Sequence, residues 1–589
     1  MEKIPNYISF WDKYDKSRKL RPNTPIDNVI WQFGKEAQDS IIRYPDSIIQ
    51  GNTFNNKRYY DYIYGYEITA LKLLQILKKV KEIERIKDQI DVVISIPPST
   101  SAIEKSFLYS ALSIAKINSI QFVPTTFASS ALYGHERHKT HQNKIIGFFD
   151  VGSKGIRFTI SKFTRDSVEE ITSFFDESFG GKNVDEKLVD LLSNRYSFDL
   201  RSSRDYETFL ELTRKAKETL TVTTATTFSF KDRTIKVNRK DLDSVFGEIY
   251  QFLYDVRLSC TNLGIRLDSI ELVGDGSRSP LISTYIKDTF GISPQRSLDS
   301  ISANAMGACY VGCFQKGVCC SSGNRNLKLI SKLTNGCTLS SSYITDYPIF
   351  ERGDIESNER NLQLQIHPNE IFHIVDKTTG EEFIRFTIPV TYSQERSITF
   401  MTNYFLMPVP QCNDIHYENI GWELSPTKIT QSNKVINSLI NNMNDNLQRG
   451  KIYNDFDSDL IKARNYANSH GFSFKGIILN LMIEYYSSWL EKAGKEHKNV
   501  ETIKRKNNEF KNLYSLFKSG GIESKEDFER KRLEERFNTW LTTCETLGCQ
   551  TYDVKRWKEK EFRRASNDEI RKVIRKMKDR AIRAQEEYL

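Results

Sequence analysis

The feature that most restricts this chain is a change of hydrophobic period along it: mixed at first, then period two alone, then period 3.6 alone. In the first part, "YISFWDKY" alternates like a strand, and Leu73, Leu77 and Val80 have helical spacing. "DVVISIP" is a short buried strand stopped by Pro97 and Pro98, and residues 107–115 are helical again. The pattern then repeats from "FFDVGSKGIRFTI", residues 148–160, which forms a glycine-turn hairpin. A third strand at "EEITSFFDES", a helix from about Asp185, a helical region to about residue 220 and the strand "SIELVGDGS" follow. Strand and helix in alternation specify an α/β layer structure.

Between about residues 325 and 424 only strands are expected, with the turn "DKTTGEE" inside them. Beyond that, Ser425 and Pro426 supply an N-cap and a first-turn proline for a helix carrying Val435, Leu439 and Met443. Ser566 and Glu569 form a capping box before a helix with Ile570, Val573, Ile574, Met577 and Ala581 on its inner face, and Gly520-Gly521 marks a break between helices. Trp489 and Trp540 are expected to be packing residues. At 589 residues the chain is too long for a single core. The expected layout is multidomain α/β + β + α, with boundaries at 1–143, 144–322, 323–424 and 425–589.

Composition removes several function classes. The net charge of +9 is small, and acids are interspersed among the lysines and arginines, so bulk nucleic-acid binding is not expected. No apolar run is long enough to span a bilayer. The nine cysteines, Cys319 and Cys320 included, show no zinc-knuckle or disulfide spacing. With no signal peptide at "MEKIPNYISFWDKYD", the expected location is the cytoplasm, or the lumen of the endoplasmic reticulum if a leader lies upstream.

Six stretches then appear in an order that resembles the seventy-kilodalton heat-shock chaperone superfamily. "ISIPPSTSAIEKSFLYSALSIAKINSIQFVPTTFASSALYG" resembles its strand, proline turn, helix and Ala-Tyr-Gly segment, and "FFDVGSKGIRFTI" its second phosphate hairpin. "SFGGKNVDEKLV" is similar to its Gly-Gly segment, "RKAKETLT" to its adenosine-contacting helix, and "LVGDGSRSPLI" to its Val-Gly-Gly-Ser-Thr-Arg motif. "ANAMGACYVG" resembles the closing helix. The resemblance implies an actin-like two-lobed nucleotide-binding domain, a β-sandwich that takes extended peptides, and a helical lid. It places Asp150, Gly152 and Ser153 along the phosphates of ATP or ADP, and Gly180 and Gly181 near the ribose. Lys217 and Thr221 fall at the adenosine, and Gly274, Gly276 and Arg278 under the base.

The departures concern catalysis. Thr53 stands where the family's water-positioning lysine is expected, Thr125 at a catalytic carboxylate, Gly155 and Arg157 at a threonine and an aspartate of the hairpin, and Ile301 at an acid of the closing helix. Asp150 alone remains of the acidic set. "KIPNYISF" looks like the strand after the family's first phosphate hairpin, so either the true start lies upstream or the protein lacks that hairpin. "NLKLISKL" replaces the unbroken leucine run of the linker whose docking couples the domains. No catalytic or metal-ligating residue is therefore expected, ATP or ADP is expected to bind weakly, and magnesium loses its ligands. Arg157 has two readings: it neutralises a phosphate in place of metal, or it pairs with Asp150 and closes the site. The large superfamily relatives, of the 110-kilodalton and glucose-regulated types, act as nucleotide-exchange factors and holdases. The expected function is of that kind, with a cycling heat-shock-70-type chaperone and unfolded polypeptides as partners. An ATP-driven folding chaperone with displaced catalytic groups and a nucleotide-free scaffold are the alternatives.

Overall fold

The computed structural model describes residues 7–12, 24, 26, 29–39, 48–50, 53, 55–59, 63–88, 90–137, 143–316, 327–356, 358–403, 405–412, 414–418, 424–469, 474–495 and 498–586. Cys319, Cys320 and the start of "KIPNYISF" lie outside them. The chain divides into two compact units, residues 1–26 with 31–438, and residues 27–30 with 439–589.

The first lobe begins with β1 (Tyr7–Asp12), β2 (Val29–Phe33), α1 (Lys35–Asp39) and β3 (Ile48–Gln50), β1 pairing antiparallel with β3. The short β4 (Arg58–Tyr59) and β5 (Ile63–Tyr64) lead into α2 (Gly65–Glu84), whose first two turns are buried. Next come β6 (Val92–Ile96), α3 (Ala102–Ile114), β7 (Ser119–Pro124) and α4 (Thr125–Arg137), with β6 and β7 parallel. A parallel pair needs a crossover, and α3 provides it. Helix α3 starts at a reciprocal capping box: the Glu104 amide donates to Ser101 Oγ (3.2 Å) and the Ser101 amide to Glu104 Oε2 (2.9 Å).

The second lobe holds β8 (Lys144–Val151), β9 (Ile156–Phe163), β10 (Ser167–Asp176), α5 (Gly181–Tyr196) and α6 (Ser203–Thr219). It continues with β11 (Ala225–Phe230), β12 (Arg233–Asn238), α7 (Arg239–Asp243), α8 (Gly247–Asn262), β13 (Ser269–Val273), α9 (Pro280–Phe290) and α10 (Ala303–Gln315). Strands β8 to β10 form an antiparallel meander and β13 joins β8 in parallel. Phe149, Phe158 and Ile160 are fully buried against α5, α6 and α8, so one face of the meander is the core of the lobe. The β11–β12 hairpin is an element the sequence reading missed, because "ATTFSF" carries threonines where apolar residues would have signalled it.

The linker docks. Its strand β14 (Lys328–Ile330) adds in parallel to the edge strand β10, pairing Ser167 with Lys328 and Glu169 with Ile330. Leu327 is buried beside Val168 and Phe163. Loss of the leucine run has thus not cost the linker its seat, because edge-strand addition is made by the main chain and needs no particular side chains.

The β-domain comprises β15 (Cys337–Ser340), β16 (Tyr347–Phe350), β17 (Arg360–Ile366), β18 (Ile371–Asp376), β19 (Glu382–Thr387), β20 (Gln394–Thr402), β21 (Pro408–Gln411) and β22 (His416–Glu418). The sheets β16-β15-β18-β19-β22 and β17-β20-β21 enclose one core, with Leu339, Phe372 and Phe386 from the first facing Ile366, Ile398 and Phe400 from the second. This sandwich sits on α3. Asp376 Oδ2 accepts from the Ala102 amide (3.0 Å), Asn335 Nδ2 donates to Thr100 O (2.9 Å), and Lys105 Nζ donates to Leu406 O (3.3 Å). Phe405 fills the gap edge-on against Tyr109 and Phe122, at centroid distances of 4.8 and 5.1 Å.

The helices are α11 (Pro426–Ser469), α12 (Phe474–Lys495), α13 (Val500–Lys518), α14 (Lys525–Thr546), α15 (Tyr552–Lys560) and α16 (Asn567–Glu586). In the second unit, Phe456, Tyr486, Phe510 and Phe528 make one core and Phe537, Cys544, Ile574 and Met577 another. The capping box at Ser566 and Glu569 forms as the sequence indicates, and Trp489 and Trp540 pack against these cores.

Candidate functional site

The β8–β9 turn is the centre of the candidate nucleotide site. It is held tight by the Gly152 amide donating to Gly155 O (2.9 Å). The Gly181 amide then bonds Gly152 O (2.9 Å) and the Lys182 amide bonds Ser153 O (2.8 Å), so the start of α5 is stitched onto the hairpin. Gly180 makes this approach feasible: a Cβ there would lie 2.6 Å from Gly155 N and 2.7 Å from Ser153 O. Behind the turn, Gly274 has φ +80°, and a Cβ on it would come within 2.3 Å of Asp150 Oδ1. Gly276 abuts Val151 in the same way, at 2.6 Å from Cγ1.

The structure therefore brings together Asp150, Gly152, Ser153, Gly180, Gly181, Gly274 and Gly276. Lys217 joins them through its bond to Gly181 O (3.3 Å) and an ion pair with Asp185 (2.5 Å). Arg278, half exposed, pairs with Asp275 (3.5 Å) and donates to Ser300 Oγ (3.2 Å). Thr221 turns back on its own helix and donates to Glu218 O (2.7 Å).

Of the two readings of Arg157, the structure adopts the closed one. Arg157 Nη1 lies 3.5 Å from Asp150 Oδ2, while Nε and Nη2 donate to the two oxygens of Glu177 at 2.9 Å each. Arg157 and Asp150 are both about nine-tenths buried as side chains. Asp150 Oδ2 also accepts from Asn304 Nδ2 (3.0 Å), and Asn304 Oδ1 accepts from Ser129 Oγ (2.5 Å). Gly155 makes the space, since a Cβ there would stand 2.4 Å from Glu177 Oε2. Gly155, Arg157 and Glu177 thus form one arrangement: a buried guanidinium needs two acids, and the second acid needs a glycine beneath it.

Sequence reasoning missed Glu177 and Asn304. Glu177 had a signal, because Arg157 pairs with Phe175 across β9 and β10, and the residue two further along lies on the same face. It also missed Lys72. This lysine is buried on α2, and its ammonium is pushed down to about 7, by burial first and by the charge of Lys154 on the hairpin turn second. Of the other positions singled out in the sequence, Thr53 is buried and hydrogen-bonded to Thr69 (2.8 Å), Thr125 opens α4, and Ile301 is exposed. Among the described residues no cluster of three metal-ligating side chains occurs.

A family model described as Hsp70 protein matches residues 46–331, ending one residue past β14. The chain is similar to a heat shock protein homolog of Lachancea kluyveri, 24% identical over 267 residues, covering 42% of this chain and 38% of that protein. Heat shock protein 110 of Caenorhabditis elegans is 23% identical over 248 residues, covering 38% and 32%. The chaperone protein HscA homolog of Acinetobacter baumannii is 21% identical over 303 residues, covering 49% and 47%. The matches span less than half the length of these relatives. Together with the stitched hairpin, they support a divergent member of the heat shock protein 70 superfamily, similar to its 110-kilodalton branch.

Proposed function

We propose that this chain is a chaperone of the 110-kilodalton type that works without an ATPase cycle. It holds non-native polypeptide and promotes nucleotide exchange on a cycling heat-shock-70-type partner, while its own cleft binds ATP or ADP weakly and does not turn it over. The observation that carries the reading is Arg157 seated between Asp150 and Glu177. Phosphoryl transfer to water needs a coordinated metal, an oriented water and charge stabilisation together. A hairpin whose remaining aspartate is neutralised by an arginine offers a metal no free carboxylate. Weak nucleotide binding is supported by the glycine turn at Gly152, stitched to the start of α5 at Gly181 and Lys182, which keeps the main-chain form of a phosphate hairpin. Peptide binding rests on the β-sandwich. The β-domain on α3 and the linker strand on β10 support a body that acts in one conformation rather than by alternation. An ATP-driven mechanism with displaced groups would call on Glu177 as its acid, and both oxygens of Glu177 accept from Arg157.

Titration with fluorescent ATP and ADP, with and without magnesium, followed by single-turnover hydrolysis and by release of labelled ADP from a cycling partner, tests the reading. The expected results are weak binding indifferent to magnesium, no turnover and faster release from the partner. Turnover would point to the ATP-driven enzyme. No binding together with no effect on release would leave a scaffold.

A further inference from the structure

Helix α14 ends in a two-bond stop. The Cys549 amide donates to Cys544 O (2.8 Å) and the Gly548 amide to Glu545 O (3.1 Å), with Gly548 at φ +70°. This Schellman arrangement sets the third-from-last helical residue beside the second residue past the cap, a pair that is usually apolar. Here both are cysteines. Cys544 is fully buried and donates to Met577 O (3.2 Å), while Cys549 is partly exposed and donates to Arg580 O (3.7 Å), both carbonyls belonging to α16. The Arg580 guanidinium is held by Asp553 and by Gln550 O. A partly exposed thiol with a buried thiol across the same helix cap is an arrangement in which an oxidised sulfur has a second thiol to resolve it. A direct main-chain bond joins the two residues, so their backbones are held together before any oxidation.

We propose that Cys544 and Cys549 form a reversible redox couple that closes to an intramolecular disulfide on exposure to hydrogen peroxide. The Cys549 sulfur attacks the peroxide, the O–O bond breaks, and the departing oxygen leaves as water with the thiol proton, giving a sulfenic acid. The Cys544 sulfur attacks that sulfur, the S–S bond forms, the S–O bond breaks, and a second water leaves with the Cys544 proton. Two electrons pass from the two thiols to the peroxide, and a dithiol reductant reverses the change. Closure removes the thiol donors to Met577 O and Arg580 O, and so loosens α16 from α14.

The test uses the full chain, reduced, treated with hydrogen peroxide, quenched with maleimide in denaturant so that the buried Cys544 is reached, and digested with trypsin. The peptide Phe537–Lys555 contains these two cysteines and no other. It is expected to become about 2 Da lighter, to refuse maleimide, to recover with dithiothreitol, and to do so at least about tenfold faster than the exposed Cys309 is oxidised. In Cys549→Ser, a near-isosteric change at the partly exposed position whose fold is checked by circular dichroism, Cys544 is expected to stay alkylatable. A peptide that still takes two maleimides at doses that oxidise Cys309 would overturn the proposal, as would equally fast oxidation of Cys544 in Cys549→Ser.

Discussion

Replacing Arg157 with alanine removes a guanidinium that holds two carboxylates, and its cost follows from the geometry. Arg157 makes a two-pronged bond to Glu177, 2.7 Å at its closest, and a longer contact of 3.5 Å to Asp150. Removing one member of a buried pair costs about 3–5 kcal/mol, because the charge left behind has lost its compensation. Two features move this case to the lower end: Glu177 is 21% exposed, so water partly replaces the arginine, and Asn304 keeps its bond to Asp150. The expected loss is about 3 kcal/mol, or roughly 100-fold in the local opening equilibrium. Tryptophan fluorescence would not see it, since all six tryptophans lie outside residues 143–316. Hydrogen exchange would, because the amides of Gly181 and Lys182 are protected by their bonds to Gly152 O and Ser153 O. Exchange of those amides is expected to quicken about 100-fold in Arg157→Ala and by less in Arg157→Lys, which keeps the charge but not the planar pair of donors. Adding Glu177→Gln to Arg157→Ala should recover about 1 kcal/mol or more. Exchange within about threefold of the parent protein, or no recovery in the double variant, would refute the idea that this ion pair holds the hairpin shut.

Other perturbations address neighbouring parts of the structure. Gly180→Ala places a Cβ against hairpin backbone that cannot yield, and is expected to cost about 3 kcal/mol and to free the same two amides in hydrogen exchange. Glu170, fully buried beneath the linker, is pushed up to about 7 by desolvation above all. The fold favours its acid form, so its contribution is complete below pH 4.5 and is lost as pH rises to about 7, a change of about 3 kcal/mol. Denaturant titrations between those pH values should show the slope, and Glu170→Gln should flatten it. Lys105, buried between α3 and the β-domain, is pushed down to about 8 by desolvation, against the pull of Asp376 and Glu356. Its charge is disfavoured in the fold, so stability is expected to rise with pH between about 8 and 10.5, a trend that Lys105→Met should abolish. Phe405→Ala should cost about 3 kcal/mol and speed hydrogen exchange in α3, since Tyr109 and Phe122 both lose their partner.

Much of the architecture was legible along the chain. Period changes located the α/β, β and helical parts, and the capping residues Ser425 and Ser566 both lie at helix starts. The motifs also located the hairpin and the two glycine segments that close on it. These are local signals, written into side chains within a few residues of one another, so they need no knowledge of the fold. Thr221 shows the limit, because a motif position says where a residue sits along a helix and not which way its hydroxyl turns.

The amino-acid pattern dictates the order of layers and the positions of the turns, and it places Thr53, Thr125, Gly155 and Arg157 in or near the motif segments. Folding decides which groups those residues meet. The register of β9 on β10 brings Glu177 over Gly155, and helix packing brings Lys72 to face Lys154. Edge addition seats the linker on β10, and the cap of α14 sets Cys544 beside Cys549. Each of these joins groups through strand alignment, helix packing or cap geometry, and a buried charge or thiol acquires its chemistry from whatever that folding places beside it.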